Sequence, residues 1–458
     1  MEIVRFEDFY IEPNKPITDT DIINFVGKKQ CQKPFMDMLE NYYLGRHNIL
    51  SKAVVDVTMP TNRIVTNFCQ VIVDFYNTYL LGRPVQYKSN QKDMLEIIKE
   101  IMEYNDAHET DMLNNQNANI FGSAAEQVYI DKDGEFRFCN VDYRNVIFIY
   151  NKNVEKALAY VIKYWKYNAT DKKYACEVWS ATDVVKLELD EGLSQVRRLE
   201  TVEHSFGDVP FIEYMNNNYR FSSFSNIITL QDAYNTLTSS EIDDYESFVD
   251  AFLAIYNAAG TNDDDIAAMK KNRVLLLDGE SKAEWLVKNC NPAQIENIKA
   301  DIMANIHKIA SLPDLSDENF AGNASGVAIK YKMVGAENVA ARQERKFRKG
   351  LQRRIELITN YLRLTGVGSY DWRDVNITFN RNMIGADLEI AQLINLVGER
   401  IPIANLAQQL SFITDTDMSL IKKAEENRIA PSGKAQDALP LEDKTEAVDN
   451  EDNSMPKQ

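Results

Sequence analysis

The chain has 458 residues, and its 69 acidic against 51 basic side chains give a formal net charge of −18. With 45% hydrophobic, 26% charged and 10% aromatic residues, the composition is that of a globular protein, and the length predicts two to four structural units. No apolar run reaches the ~18–20 residues that a membrane helix needs, and the first residues lack the features of a secretory signal. Five cysteines without a CxxC pair and four scattered histidines disfavour a disulfide framework and a zinc site. These bounds argue against a secreted, membrane-inserted or metal-dependent protein.

The N-terminal third is predicted to be mainly helical. Residues 18–21 (Thr-Asp-Thr-Asp) form a cap that leads into a helix ending around Gly45, and further helices are expected at 62–81, 92–104 and 109–120.

The period of the apolar residues then changes, and a mostly antiparallel β region is expected from about 125 to 215. Segments 127–130 and 135–138 flank the turn sequence Asp-Lys-Asp-Gly, which is a hairpin signature. The same turn resembles the start of a calcium loop, but the glutamate expected near loop position 12 is missing, so we interpret it as a hairpin turn. Further strands are predicted at 146–150, 157–167, 174–180, 184–189 and 210–214.

Residues 225–258 are predicted to form one continuous helix about 50 Å long, because no proline or glycine interrupts this part of the chain. The segment 221–269 contains nine acidic residues and no lysine or arginine. An acidic and polar stripe at helical spacing is separate from the apolar stripe that begins at Ile227; it comprises Asp232, Thr236, Ser239, Asp243, Glu246 and Asp250. A solvated face is the simplest interpretation of this stripe.

A helical hairpin is predicted next. Segments 273–277 and 283–287 suggest a strand-turn-strand unit at its tip, and a helix at 293–311 returns antiparallel to the first. Residues 314–325 form a polar, glycine-containing loop.

The C-terminal part is predicted to begin with a long helix over 326–364, in which Gly335 and Gly350 could introduce kinks. A strand at 375–379 and helices at 387–399, 403–410 and 415–427 should follow. The acidic segment 431–458 is predicted to be disordered.

Basic residues cluster in the long helix, where seven of them stand against Glu344 alone between 342 and 354. They alternate with a core stripe, so pairing between subunits or solvation is favoured over a grip on nucleic acid. The seven are Arg342, Arg345, Lys346, Arg348, Lys349, Arg353 and Arg354.

Motifs for catalysis are missing from the sequence, which contains no P-loop, HExxH, GxSxG or GxGxxG in a suitable context. His47 has no nucleophile partner that the sequence identifies and is interpreted as a structural residue. We therefore expect neither an enzyme nor a bound cofactor.

Five blocks of sequence, in this order and spacing, carry a resemblance: Tyr-Tyr-Leu-Gly-Arg-His-Asn-Ile-Leu at 42–50, Asn-Arg-Ile-Val-Thr-Asn-Phe at 62–68, Tyr-Leu-Leu-Gly-Arg-Pro-Val at 79–85, Asp-Ala-Tyr-Asn at 232–235 and Ser-Gly-Val-Ala-Ile-Lys-Tyr-Lys at 325–332. Together they resemble the portal proteins of tailed bacteriophages, in the branch from long-tailed phages of Gram-positive hosts. The resemblance is co-linear over about residues 20–430.

This resemblance implies an α+β, mainly helical subunit that assembles as a ring, usually of twelve copies, at one vertex of the capsid. Double-stranded DNA would be packaged through the ring by the terminase and later ejected into the tail. The implied partners are further copies of the chain, the DNA, the terminase large subunit, a head-completion or adaptor protein, and the major capsid and scaffolding proteins. The implied location is the virion, with assembly in the host cytoplasm and without a membrane.

The family's architecture implies a wing at 1–224 and 326–385, and a stem of two helices at 225–260 and 292–312. It also implies a clip at 261–291, a tunnel loop at 313–325 and a crown at 386–430. The crown is short compared with better-known members.

Three sets of candidate residues follow from these assignments. The acids that are candidates to line the channel are Asp232, Asp243, Glu246 and Asp250. The tunnel-loop candidates are Asp314, Asp317, Glu318, Asn319, Phe320 and Asn323. The clip candidates for docking of terminase or adaptor are Asp263, Asp264, Asp265, Lys270, Lys271, Arg273, Glu280 and Lys282. The basic residues of 342–354 are candidates for intersubunit contacts.

Two alternatives stay open at this point. One is a cytosolic DNA-binding or DNA-processing protein that uses 342–354 and shows salt-dependent duplex affinity without a large ring. The other is a different structural adaptor between head and tail, although the order helix, clip, helix and loop favours a portal.

Overall fold

The computed structural model describes residues 8–54, 60–168, 170–249, 252–256, 282–286, 292–313, 326–382 and 420–424. The chain divides into two compact units, Met1–Met383 and Ile384–Gln458. In the second unit, residues 420–424 are helical.

The described part of the first unit contains seven α-helices, most of which bury one apolar face. They are α1 (Asp19–Tyr43), α2 (Phe68–Leu81), α3 (Lys92–Tyr104), α4 (Ala107–Phe121), α5 (Ile228–Val249), α6 (Pro292–Ala310) and α7 (Gly326–Leu364). The 39 residues of α7 make it the longest of these helices.

Strands of the described residues form four sheets. The six-stranded sheet has the order β1-β5-β6-β7-β8-β9, and a three-stranded sheet has the order β10-β3-β4. Two strand pairs, β11-β12 and β13-β2, complete the set. The strands are β1 (Phe9–Ile11), β2 (Gln86–Lys88), β3 (Ser123–Ile130), β4 (Phe136–Val141), β5 (Val146–Asn151), β6 (Leu158–Trp165), β7 (Lys173–Trp179), β8 (Asp183–Asp190), β9 (Val196–Glu203), β10 (Phe211–Met215), β11 (Phe252–Tyr256), β12 (Lys282–Leu286) and β13 (Asn376–Thr378).

Three apolar clusters hold the unit together. One packs the N-terminal half of α1 and strand β1 against the six-stranded sheet. A second joins α1 and α2 to the start of α5 and the end of α6. The third packs α3 and the C-terminal half of α7 on the three-stranded sheet. Helix α7 is thus fixed along one side by the same core that holds α3.

Several predictions from the sequence are confirmed. The Thr18 hydroxyl accepts from the Asp21 amide at 3.2 Å while the Asp21 carboxylate accepts from the Thr18 amide, so α1 begins with a capping box. Helices α3 and α7 have the predicted bounds. Strands β3 and β4 pair as the predicted hairpin, in which Gly134 takes a left-handed conformation (φ 85°).

The predicted start of α2 was wrong. Residues 62–67 are extended, and the helix begins at Phe68 after the N-cap Asn67. The apolar spacing of 62–68 fits a helix, but the amide groups of this segment donate to side chains of α5, which the local sequence cannot show.

The predicted continuous helix over 225–258 was also wrong. Residues 225–227 form a 3-10 turn, α5 ends at Val249, and Phe252–Tyr256 is a strand paired antiparallel with Lys282–Leu286. A short apolar run rich in aromatic and β-branched residues suits a strand as well as a helix, and here the pairing partner decides. The segment 283–287 was expected to pair with 273–277, which lies outside the described residues.

Strands β1 and β9 were not predicted, and neither was the packing role of Gly350. Strand β9 is almost fully exposed and therefore lacks the alternating pattern that reveals a half-buried strand. The helix α7 continues through Gly335 and Gly350 without interruption. A Cβ atom at Gly350 would lie 2.3 Å from the Tyr214 ring, so this glycine permits close packing of the helix on β10.

Other predictions fall on residues that the structure does not describe. These are the segment 273–277, the loop 314–325, most of the C-terminal helices and the tail 431–458.

Candidate assembly and channel surfaces

Helix α5 is bound along one face by the extended residues 62–67, which we call the strap, and by Phe68, the first residue of α2. Four backbone amides donate to α5 side chains in sequence: Phe68 to Gln231, Thr66 to Asn235, Ile64 to Ser239 and Asn62 to Asp243. The first three N···O distances are 3.0, 3.0 and 2.9 Å.

These four hydrogen bonds, which we call the ladder, are evenly spaced because the rise of four helical residues nearly equals the advance of two extended residues. Four residues of α-helix rise about 6 Å, and two residues of extended chain advance about 6.6 Å. Every second amide of the strap therefore meets every fourth side chain of α5. Gln231, Asn235 and Ser239 are fully buried, so these polar groups of α5 and the strap satisfy one another away from water.

His47 extends this network. Its Nδ1 accepts from the Asn235 amide at 2.8 Å, and its Nε2 lies 2.9 Å from the Tyr42 carbonyl oxygen, to which it donates. The imidazole is therefore neutral, with its proton on Nε2. This geometry agrees with the interpretation of His47 as a structural residue.

The acids proposed from the sequence to line a channel have partners within the chain. Asp232 accepts from the Tyr42 hydroxyl at 2.7 Å and from Asn48. Asp243 pairs with Lys52 at 2.8 Å; burial raises its pKa, but the bonds from Lys52 and Asn62 outweigh this and lower it overall. Exposed Glu246 accepts from Asn62 at 2.9 Å, and Asp250 lies outside the described residues.

At the N-terminal end of α5, the predicted apolar stripe packs against the core of its own subunit. Ile227 is buried, Leu230 packs on the core, and Tyr234 contacts Phe68 edge-on. Tyr245, near the C-terminal end of α5, is 80% exposed. Among the described residues of the stripe, Tyr245 has the exposure that packing against another subunit requires.

The seven basic residues between 342 and 354 of α7 lie in four different environments. Arg348 pairs with Glu344 and donates to the Ile377 carbonyl, while Arg353 pairs with Asp208 at 2.7 Å. Lys346 is half-buried. Arg342, Arg345 and Lys349 are exposed and have no ion-pair partner in the part of the chain that the structure describes.

Arg354 is a correction to the predicted intersubunit surface, because the side chain is fully buried. It donates to Glu126 on β3 and to Asp111 on α4, the latter at 2.7 Å. Burial lowers the pKa of Arg354, but the two carboxylates outweigh this and hold it well above the usual value. Arg354 joins three elements of one subunit and cannot reach a neighbour.

A second buried charge cluster was not predicted from the sequence. Arg220 takes a left-handed conformation (φ 53°) and clamps Glu213 of β10, with 2.7 Å between Nε and Oε1, together with Asp8 beside β1. Burial raises the pKa of Glu213, but Arg220 lowers it to about 2. Lys29 of α1 lies nearby, with its Nζ 3.7 Å from the centre of the Tyr143 ring. Asp8 and Lys29 are far from the Glu213–Arg220 pair in the sequence, so no local pattern predicts the cluster.

The remaining candidates cannot be placed. The tunnel-loop set at 314–323 and the clip set at 263–280 lie outside the described residues, and for Lys282 the structure describes only the backbone, in β12. Within the described chain, no helix is both long and apolar enough to cross a bilayer.

Comparison with known proteins decides between the alternatives. The family model described as "Phage portal protein, SPP1 Gp6-like" matches residues 25–430. The chain belongs to this family of phage portal proteins. Members are structural proteins of the phage particle and not enzymes, so the interpretation as a DNA-processing protein is set aside.

Two curated relatives agree with this assignment. The portal protein of Bacillus phage SPP1 is 24% identical over 424 residues, an alignment covering 85% of this chain and 82% of the relative. The portal protein of Clostridium phage phiCD119 is 25% identical over 431 residues, covering 87% of this chain and 94% of the relative. The family resemblance predicted from the five sequence blocks is confirmed.

Proposed function

We propose that copies of this chain close into a ring, of about twelve subunits as the family resemblance implies, at one capsid vertex. Double-stranded DNA enters through the ring during packaging by the terminase and leaves through it into the tail. The single observation that carries this proposal is the family match over residues 25–430. Assembly takes place in the host cytoplasm, with capsid and scaffolding proteins around the ring.

The architecture proposed for the subunit follows the family. The wing comprises 1–224 and 326–385, and the stem comprises α5 and α6, which are joined by the Lys299–Glu241 ion pair at 2.8 Å. The clip at 261–291 docks the terminase large subunit and, after packaging, the adaptor protein. The antiparallel pairing of β11 with β12 brings together the chain on both sides of residues 257–281, which supports a clip that forms a separate unit. The tunnel loop lies at 313–325 and the crown at 386–430.

The channel wall is proposed to be negative at the C-terminal end of α5. DNA carries one phosphate per about 1.7 Å of duplex axis, and a basic wall would hold it by counterion release. An acidic wall instead repels the duplex over about a Debye length, 8–10 Å at ordinary salt, and keeps it mobile. Glu246 is exposed, and Asp250 follows it by one helical turn in sequence. Asp232 and Asp243 contribute charge, but they also accept hydrogen bonds from Asn48 and Asn62 of the same subunit.

Two measurements test this function. End-on electron micrographs of the purified full chain should show closed rings, and a chain that stays monomeric under all conditions would contradict the proposal. The double variant E246K/D250K should still form rings but reduce the DNA packaged per particle.

The matched control is E155K, which reverses an exposed acid in the turn after β5 and should leave packaging unchanged. Normal packaging by E246K/D250K would contradict the proposal that an acidic channel wall keeps the DNA mobile. Deleting 319–323 tests the tunnel loop separately, because it should spare the ring and lower the packaged DNA.

A further inference from the structure

Helix α7 carries a basic stripe that has no ion-pair partner among the described residues of its own subunit. Arg342, Arg345 and Lys349, spaced three and four residues apart, lie on one exposed face about 10 Å long. The opposite face is buried through Gln343, Phe347 and Gly350. Like charges at these spacings repel one another, so the stripe disfavours an isolated subunit.

The other arginines of this region have partners, and Lys346 is half-buried. Arg348, Arg353 and Arg381 pair with carboxylates at the edges of α7, and Arg354 pairs in the core. The stripe is therefore the part of the basic cluster that is available to a second molecule.

Helix α3 carries the complementary surface. Four exposed acids follow one another at spacings of three, four and three residues over about 15 Å; they are Asp93, Glu96, Glu100 and Glu103. No ion pair connects them to the described part of the chain. Lys92 and Lys99 lie beside them, yet the exposed surface of α3 stays net acidic.

The two stripes cannot meet within one subunit. Helix α3 faces the core with Met94, Ile98 and Met102, which belong to the same apolar cluster as Phe347 and Leu351 of α7. The acidic stripe lies on the opposite side of α3 from these core residues, and the basic stripe lies on the side of α7 away from the core. Each surface therefore points away from the other.

We propose that the basic stripe of α7 in one copy pairs with the acidic stripe of α3 in the next copy around the ring. This inference rests on the proposed ring and adds the two surfaces that close it. An interface between two different patches is called heterologous. When each subunit is rotated by the same angle from its neighbour and the rotations add up to a full turn, such interfaces close a ring. A single exposed ion pair contributes little to stability, but several act together at every interface.

Charge reversal and mixing test the inference with the full chain. Variant R342E/R345E/K349E and variant E96K/E100K/E103K should each lose the ring, because like charges then face each other at every interface. An equimolar mixture should recover rings in which the two variants alternate. Mass photometry and end-on micrographs measure both results, and circular dichroism checks that each variant is folded.

Cysteine cross-linking gives a second test that does not depend on reversing side-chain charges. In a C31S background, which removes an exposed cysteine, R345C/E100C should oxidise to a ladder of covalent multimers. R345C and E100C alone should give no species larger than a dimer. Absence of the ladder in rings of the double variant would overturn the inference.

The outcomes separate this inference from the proposed function. If the unmodified chain forms no ring, the proposed function fails. If it forms rings and either reversed variant does so equally well, or the mixture recovers none, only the α3–α7 pairing is wrong. If R342E/R345E/K349E keeps its rings and loses salt-dependent duplex binding, the stripe contacts nucleic acid and the pairing is overturned.

Discussion

Arg354 of α7 donates from Nε to Oε1 of Glu126 at 2.8 Å, and neither side chain is exposed to solvent. The same guanidinium reaches Asp111 on α4, so one cation holds two carboxylates from two other elements. Burial raises the pKa of Asp111 to about 6 even though Arg354 opposes the shift. The long helix that carries the candidate assembly surface is thus fixed to the three-stranded sheet by buried charge.

Replacing Arg354 by methionine should be strongly destabilising. The side-chain volume is largely kept, but Asp111 and Glu126 remain buried without their cation, which costs about 3–5 kcal/mol. Denaturant unfolding measures the loss, and R345M, at an exposed position of the same helix, should change the free energy of unfolding by less than about 0.5 kcal/mol. Equal stability of the two variants would show that the buried pair is dispensable.

Lys29 should make stability depend on pH above neutrality. Burial lowers the pKa of Lys29 from 10.5 to about 7, so between these values the unfolded chain binds more protons than the folded chain. The free energy of unfolding therefore rises with pH across this window, by at most about 1.4 kcal/mol per pH unit. K29M removes this contribution.

The measurement is the difference in free energy of unfolding between the unmodified chain and K29M at pH 7, 8 and 9. It should shift in favour of the unmodified chain as the pH rises. K28M, at the exposed neighbouring position, should show no such trend. If this difference stayed flat or fell as the pH rises, the lowered pKa of buried Lys29 would be contradicted.

Two glycines of α7 should respond in opposite ways to alanine. At Gly350 the new Cβ would lie 2.3 Å from the ring of Tyr214, which is itself fully buried, so G350A should destabilise by about 1–3 kcal/mol. At Gly335 the nearest atom, Ser311 Cβ, would be 3.5 Å away, so G335A should stabilise the helix by about 0.5–1 kcal/mol. Thermal unfolding of both variants checks the pair, and an unchanged melting temperature for G350A would rule out the close contact.

The strap should depend on individual acceptors of α5. S239A leaves the amide of Ile64 without its 2.9 Å acceptor, which costs about 1–3 kcal/mol for a buried group. Hydrogen exchange of the Ile64 amide should accelerate in this variant. S240A, at the next position of the helix, should leave that exchange rate unchanged. Equal exchange rates of the Ile64 amide in the two variants would contradict its hydrogen bond to Ser239.

Local features of the chain were predictable because their signals are local. The capping pair Thr18 and Asp21 begins α1, the turn at Gly134 joins β3 and β4, and the bounds of α3 and α7 follow from periodicity. The family was predictable for a different reason, since its five blocks keep their order and spacing.

The sequence by itself determined where the main helices and the hairpin form and which family the chain belongs to. Only the tertiary structure decided that residues 62–67 are extended and that Phe252–Tyr256 is a strand, because their hydrogen-bond partners lie on distant segments. It also decided which charges are available to another molecule. Helical spacing puts Arg354 on the side of Phe347 and Arg345 on the opposite side, but only the position of Glu126, 228 residues from Arg354 along the chain, explains how the charge of Arg354 is buried in the core.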